Sequence, residues 1–187
     1  SKIDYCSHLW SPTDQSSISR LESIARNFTG QIAGLEDQDY WERLKSLRLY
    51  SQERRRERYR IIFIWKVLQG YVIVNGYPFT SLQNPRIGRL VAVANYPSEA
   101  PASVRRAREA SLSVQGARLF NIIPRHLRDT STGTVDQFKA GLDSWLATIC
   151  DQPTIPGRLR AAQSNSLLEE APLFIICFYH LTMLKLA

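Results

Sequence analysis

The sequence predicts a mainly α-helical chain of two small modules, residues 11–70 and 103–150, joined by an irregular linker over 71–102. Apolar residues recur at helical spacing in both modules, whereas the linker is rich in proline and glycine and allows at most a short strand. Residues 151–187 are expected to form an irregular, apolar tail. With 187 residues, of which 44% are hydrophobic, the chain can bury a core.

The first module is predicted to contain three helices connected by short loops, which favours a compact bundle. The residues Ser-Pro-Thr-Asp at 11–14 begin the first helix, with Ser11 as the N-cap. An apolar seam follows at steps of three and four residues: Ile18, Leu21, Ala25, Phe28 and Ile32. A short helix over 39–47 is expected to bury these side chains: Tyr40, Leu44 and Leu47.

A long third helix is predicted from Ser51 to Gly70, with the sequence SQERRRERYRIIFIWKVLQG. Its first half is mostly charged and its second half mostly apolar. Ser51 suits the N-cap, Glu53 lies in the first turn beside the positive helix end, and Gly70 suits a C-terminal stop. The helix is therefore expected to carry a charged surface at one end and a buried surface at the other.

The arginines of this helix divide into two groups by position. Glu53 and Glu57 lie three residues before Arg56 and Arg60, so those two arginines are expected in exposed ion pairs. The remaining arginines share an arc with the apolar residues and are expected to be free for a partner: Arg54, Arg55 and Arg58. A solvated basic face on an ordinary helix is the alternative interpretation.

The linker contains a single β-like run, from Leu90 to Val93. A helical pattern returns at Ser103 and ends at Pro124, with apolar residues at helical spacing: Val114, Ala117 and Phe120. In the last predicted helix Thr134 and Gln137 fit a capping box. The apolar face of that helix is expected to comprise Val135, Phe138, Leu142, Trp145 and Ile149.

The charge and the cysteines limit the function classes. A formal net charge of +7, carried mainly by arginine, favours a polyanionic partner such as nucleic acid or an anionic membrane surface. The cysteines are far apart and include no Cys-x-x-Cys pair, so neither a disulfide framework nor a zinc ribbon is indicated. No signal-peptide pattern begins the sequence, and the apolar run 173–184 is shorter than the roughly 20 residues of a membrane span. We expect an intracellular protein, in the nucleus or the cytoplasm, that does not enter a membrane.

Other candidate sites have simpler interpretations, and no cofactor is expected. Cys6 and His8 have the spacing of a ligand pair but lack two further metal ligands. His126 is expected at the surface, and nothing in the sequence suggests a fold that pairs it with a cysteine nucleophile. Three aromatic residues have rings that can stack on bases but are more often core residues: Tyr40, Trp41 and Trp65.

Several motifs occur in a definite order along the chain. YCSHLWSP comes first, LESIARNFTGQIAGL second, and DYWERLKSLRLYSQERRRERYRIIFIWKVLQG third; GARLFNIIPRHLRD and TVDQFKAGLDSWL follow later. In this order, residues 3–160 resemble the region after the polymerase palm in reverse transcriptases of LINE-type, non-long-terminal-repeat retrotransposons, jockey-like elements among them. The resemblance implies that 11–70 corresponds to the thumb, which grips an RNA template and its DNA product, and that 103–150 corresponds to the tail that follows.

The resemblance favours phosphate contacts by Arg54, Arg55 and Arg58, with the rest of a reverse transcriptase as the partner in the parent protein. The palm motif aromatic-x-Asp-Asp, whose aspartates hold the catalytic metals, does not occur in the chain, so we expect no enzymatic activity. The apolar run from Ala171 breaks the basic composition, which suggests a truncated copy. A protein-interaction or structural helical module with an incidentally basic surface is the alternative function.

Overall fold

The structure is a computed structural model that describes residues 3–73, 79–93, 99–130, 133–152 and 165–169. Its principal helices are α1 (Gln15–Thr29), α2 (Tyr40–Ser46), α3 (Gln52–Leu68), α4 (Ala102–Glu109), α5 (Leu112–Ile122), α6 (Arg125–Arg128) and α7 (Val135–Leu146). Two short antiparallel strands, β1 (Ser81–Asn84) and β2 (Gly88–Val91), form a hairpin in which Ser81 lies opposite Val91. The mainly α fold class predicted from the sequence is confirmed.

Side-chain caps fix where the helices begin. The Ser51 hydroxyl accepts a hydrogen bond from the Arg54 backbone N–H at 3.1 Å, as predicted for the start of α3. Both hydrogen bonds of the predicted capping box between Thr134 and Gln137 are present at the start of α7. The prediction for α1 was wrong by one turn.

The N-cap of α1 is Asp14, whose carboxylate accepts from the Ser17 N–H at 2.9 Å. Ser11, the expected cap, instead donates its hydroxyl to the Ser7 carbonyl at 2.9 Å. The hydroxyl is therefore engaged with the preceding turn, and a carboxylate meets the positive end of the helix.

One hydrophobic core joins the two predicted modules. The apolar half of α3 packs against α5 and α7, and the Trp65 ring stacks on Phe138 with 4.6 Å between the ring centroids. A side chain at Gly116 would place its Cβ 3.1 Å from Ile64, so α3 and α5 approach closely at this glycine. The sequence predicted a linker at 71–102 between two modules, and in the described residues side chains from both sides of it share one cluster.

The predicted linker contributes to this core through its hairpin. Val91 is buried, and its N–H and C=O both bond to the Asn121 side chain, at 2.8 and 2.9 Å. The guanidinium of Arg128 donates to the carbonyls of Arg89 and Ile87 at 2.5 and 2.9 Å. The β-like run at 90–93 therefore overlaps β2, which has an antiparallel partner that the sequence did not indicate.

Several buried positions follow the prediction, and the seam of α1 follows it only in part. These predicted core residues are buried: Tyr40, Leu44, Val114, Ala117, Phe120, Phe138 and Leu142. Others are half-buried: Leu47, Val135, Trp145 and Ile149. On α1, Ile18, Leu21 and Ala25 are half-buried and Phe28 is 68% exposed. The buried residues of this helix are Glu22 and Thr29, and Glu22 accepts hydrogen bonds from the Tyr40 hydroxyl and from the Gln52 N–H. A carboxylate with two donors thus lies at the buried contact beside the apolar seam.

The helix predicted after Ser103 is interrupted at 110–111, which separates the exposed α4 from the buried α5. Most of the predicted tail, including the apolar run from Ala171, lies outside the described residues. Among the described helices, none is both long and apolar enough to cross a membrane.

Candidate nucleic-acid interface

Arg54, the first of the predicted phosphate-binding residues, is completely buried at 0% exposure. Its Nη2 lies 3.2 Å from the Cys150 carbonyl oxygen and 3.3 Å from that of Asn165. Its Nε lies 3.8 Å from a carboxylate oxygen of Asp151. The guanidinium therefore ties α3 to the segment after α7 and is not accessible to a phosphate.

Arg55 and Arg58 also have acidic partners. The Nη1 of Arg55 lies 3.1 Å from the Asp4 carboxylate. Arg58 donates to Asp143 through Nε at 2.5 Å and Nη2 at 2.7 Å, and these hydrogen bonds raise the pKa of Arg58. The expectation that these arginines are free for a partner is therefore wrong.

The expected ion pairs of Arg56 and Arg60 with the preceding glutamates are not formed. Arg56 donates to the carbonyls of Trp10 and Ile3 at 3.1 and 2.7 Å. Arg60 is 6% exposed, and burial lowers its pKa. Glu57 instead accepts from the Ser166 hydroxyl and the Leu167 N–H, so it faces a segment more than a hundred positions away.

The charged half of α3 is buried because distant segments cover it. The turn at 3–10 supplies carbonyls and the Asp4 carboxylate, α7 and the residues after it supply Asp143 and Asp151, and 165–169 supplies further polar groups. Arg54, Arg56 and Arg58 donate hydrogen bonds to these segments, whereas Nε and Nη2 of the buried Arg60 have no hydrogen-bond partner among the described residues. These arginines act as structural residues in the described chain.

Exposed arginines occur instead on α4, which has no buried residue. Arg105, Arg106 and Arg108 all lie on this eight-residue helix and all are exposed. Glu109, at the end of the helix, is 2.8 Å from Arg118 in an ion pair of two half-exposed side chains. In the described part of the chain, neither Arg105 nor Arg106 forms an ion pair with a carboxylate.

Two shallow grooves lie on either side of α4, and Ala110 lines both. We name the larger, of about 700 Å³, the α1–α4 groove; it is lined chiefly by Leu9, Trp10, Pro12, Arg20, Leu21 and Ala107. The smaller, of about 500 Å³, is bordered by Arg105 and Arg106. Arg20 is exposed on α1 and lines the α1–α4 groove, so each of the two grooves has at least one arginine at its border.

The aromatic residues considered from the sequence are mainly structural. Tyr40 and Trp65 are buried, and Trp41 is half-buried with its ring centroid 4.9 Å from that of Tyr40. The core interpretation is confirmed for Tyr40 and Trp65. Trp10, which the sequence reasoning missed, is 44% exposed and lines the α1–α4 groove.

Cys6 and Cys150 are free thiols, and His126 is exposed on α6. Within the ranges that the structure describes, no group of three or more His, Cys, Asp and Glu side chains is placed to hold a metal. His8 stacks on Phe63 with 4.6 Å between ring centroids, so its ring packs against α3.

Comparisons with protein-family models, with curated proteins and with solved structures give no match to the chain. Two features of the sequence indicate the exposed arginines of α4 and Trp10, which the prediction based on the arginines of α3 did not include. RRARE at 105–109 is a second cluster of arginines, and Trp10 stands directly before the Ser-Pro that opens the first module.

Proposed function

We propose that the chain binds the sugar–phosphate backbone of nucleic acid through α4 and catalyses no reaction itself. The observation that carries the proposal is a fully exposed eight-residue helix with arginines at 105, 106 and 108, in a chain of net charge +7. An arginine guanidinium matches a phosphate in shape and charge. Contacts of this kind position a protein on nucleic acid without reading the sequence.

The resemblance to LINE-type reverse transcriptases supports an RNA template paired with its DNA product as the ligand. It also supports the rest of such an enzyme as the protein partner, and a place in the nucleus or the cytoplasm. In this proposal α4 replaces the arginines of α3 as the phosphate-binding element, because Arg54 and Arg58 are occupied by groups of the chain itself.

The size of α4 sets the expected number of contacts. A helix of eight residues is about 12 Å long, so its arginines reach only a few phosphates. Each neutralised phosphate contributes a slope of about 0.9 in log affinity against log salt concentration for B-form DNA, which serves as a guide for a hybrid duplex. We therefore expect weak binding that depends on salt and differs little between unrelated sequences.

The test compares two double variants that remove the same charge. Arg105→Ala with Arg106→Ala should weaken binding to an RNA·DNA duplex and make the salt slope shallower by up to about 1.8, from two contacts of about 0.9 each. The control, Lys45→Ala with Arg86→Ala, removes two exposed cations away from α4. Affinity is measured by fluorescence anisotropy across a salt series, with circular dichroism to match the folding of the variants.

Three results decide the matter. Weaker binding by the α4 variant alone supports the proposal. Equal losses in both variants indicate a diffuse basic field and overturn α4 as the site. A parent chain that does not bind the duplex even at low salt overturns the proposed function.

A protein-interaction module is the second candidate, and one observation favours it. Ile24 and Phe28 lie four residues apart on α1 and are 49% and 68% exposed. Residues at this spacing share a helix face, so they form a small apolar surface. No retention on an immobilised RNA·DNA duplex at low salt favours this candidate, whereas retention that salt abolishes favours nucleic-acid binding.

A further inference from the structure

We infer that the ring of Trp10 is a stacking platform for an unpaired base of the nucleic acid, held in the α1–α4 groove. This inference rests on the proposed function and adds the class of ligand that the groove accepts. A stacking platform of this kind is expected to bind a nucleic acid with a single-stranded extension more tightly than a fully paired duplex.

The Trp10 ring is fixed before any ligand arrives. Its indole N–H donates to the Tyr5 carbonyl at 2.7 Å, and this hydrogen bond fixes the position of that edge of the ring. The Arg56 guanidinium carbon lies 4.3 Å from the ring centroid, so Arg56 packs against one face of the ring. Arg56 is in turn held by the carbonyls of Trp10 and Ile3. A ring with a fixed orientation loses little conformational entropy when a ligand stacks on it.

The surroundings of the ring combine an apolar floor with a cationic rim. Trp10 and Leu9 are 44% and 50% exposed, and both line the groove with the half-buried Leu21. Arg20 contributes an exposed cation to the same groove. The arginines Arg105 and Arg106 of α4 border the neighbouring smaller groove, and Ala110 lines both grooves.

This combination suits a nucleotide. A base offers a flat apolar face to the tryptophan, and its phosphate offers negative charge to Arg20 at the rim. A groove of about 700 Å³ is also within the usual range for small-molecule sites. Every base has a π-face, so stacking on Trp10 is expected to tolerate any base.

The base must be unpaired for this contact to form. Inside a duplex both faces of each base are covered by neighbouring bases, and access to a face then requires unstacking. A single-stranded extension presents its bases without that cost. The groove therefore fits a strand that leaves the duplex near α4, while the arginines of α4 hold the duplex backbone.

The experiment uses the full chain and two probes, a blunt RNA·DNA duplex and the same duplex with a short unpaired extension of the template strand. We expect the parent to bind the extended probe more tightly by roughly 5- to 100-fold per stacked base. Trp10→Ala should abolish this difference between the two probes. Trp10→Phe keeps an aromatic ring and should retain most of the difference.

A second measurement uses tryptophan emission, since a base stacked on an indole quenches it. The extended probe should quench the parent more than the blunt probe does, and Trp10→Phe should remove the additional quenching while it still binds. The matched control is Tyr71→Ala, which removes an aromatic ring that is 58% exposed and does not line the groove. It should keep both the affinity difference and the quenching.

The outcomes separate this inference from the proposed function. If the α4 variant loses duplex affinity while Trp10→Ala keeps the full difference between probes, the stacking platform is overturned and the phosphate site stands. If Trp10→Ala fails to fold, equal quenching of the parent and of Trp10→Phe by the extended probe overturns the platform. If Trp10→Ala abolishes the difference and the α4 variant binds as the parent does, the platform stands and the phosphate site on α4 is overturned.

Discussion

Arg58 holds Asp143 by two hydrogen bonds, from Nε at 2.5 Å and from Nη2 at 2.7 Å. The pair joins α3 to α7, and the Tyr50 hydroxyl donates to the same carboxylate at 3.1 Å. Parallel hydrogen bonds from a planar guanidinium to a carboxylate fix both distance and orientation. The contact therefore locks together the two halves that the sequence had assigned to separate modules.

Removing Arg58 should destabilise the chain. Arg58→Ala leaves Asp143 without its main donor, and we expect a loss of about 1–2 kcal/mol in the free energy of unfolding. The loss is moderate because the Asp143 side chain is 38% exposed and can be solvated. Urea unfolding of Arg58→Ala, Asp143→Ala and the double variant measures the coupling between the two side chains. Additive losses would show that the pair contributes no coupling energy.

Arg54 and Arg55 are neighbours in sequence but should differ in their effects on stability. Arg54→Ala removes a fully buried guanidinium from the carbonyls of Cys150 and Asn165, with an expected loss of about 3 kcal/mol. Arg55→Ala breaks a partly exposed ion pair with Asp4, with an expected loss of about 1 kcal/mol. Alanine maintains the helix in both variants, so urea unfolding reports the tertiary contacts. Equal losses would contradict the burial of Arg54.

Sequence reasoning succeeded where a helix depends on its own residues. The caps at Ser51 and Thr134 and the buried faces around Phe120 and Phe138 follow from local periodicity and hydrogen bonding. Helix α1 is the exception, because Glu22 gains two donors from distant residues and is more buried than the apolar seam. A tertiary contact of this kind leaves no local signal.

The predicted pairing of the arginines of α3 was wrong for the same physical reason. The i, i+3 spacing of Glu53 and Arg56 describes an isolated helix in water. In the folded chain Glu53 accepts from the Asn165 N–H at 2.8 Å, and Arg56 donates to the carbonyl of Ile3. The basic composition indicated a polyanionic ligand, but only the folded structure distinguishes the buried arginines of α3 from the exposed arginines of α4.

Asn121 attaches the hairpin to the core, so its removal should release β2. Asn121→Ala deletes both hydrogen bonds to Val91, and we expect a loss of about 2 kcal/mol in the free energy of unfolding. The Val91 amide should also exchange its hydrogen faster. Gln83→Ala is the control from the same hairpin, because that side chain is exposed on β1. Unchanged protection of the Val91 amide in Asn121→Ala would contradict the attachment.

Glu57 should make the stability of the chain depend on pH. Burial raises the pKa of its carboxyl from 4.5 to about 8, although hydrogen bonds from Ser166 and Leu167 act in the opposite direction. The folded chain therefore binds this proton more tightly than the unfolded chain does. The stabilising contribution is complete below pH 4.5 and is lost as the pH rises through about 8.

Comparison with Glu57→Gln isolates this contribution, because the amide keeps the shape and hydrogen-bonding capacity of the protonated carboxyl without ionising. Between pH 4.5 and 8 the parent should lose stability relative to the variant, by no more than about 5 kcal/mol. Burial also raises the pKa of Glu22, but Glu22 is present in both chains and cancels in the difference. Urea unfolding at a series of pH values measures the two curves. Parallel curves across this range would mean that Glu57 has the same pKa in the folded and the unfolded chain. If the parent gained stability relative to the variant as the pH rises, folding would lower the pKa of Glu57, contrary to the prediction.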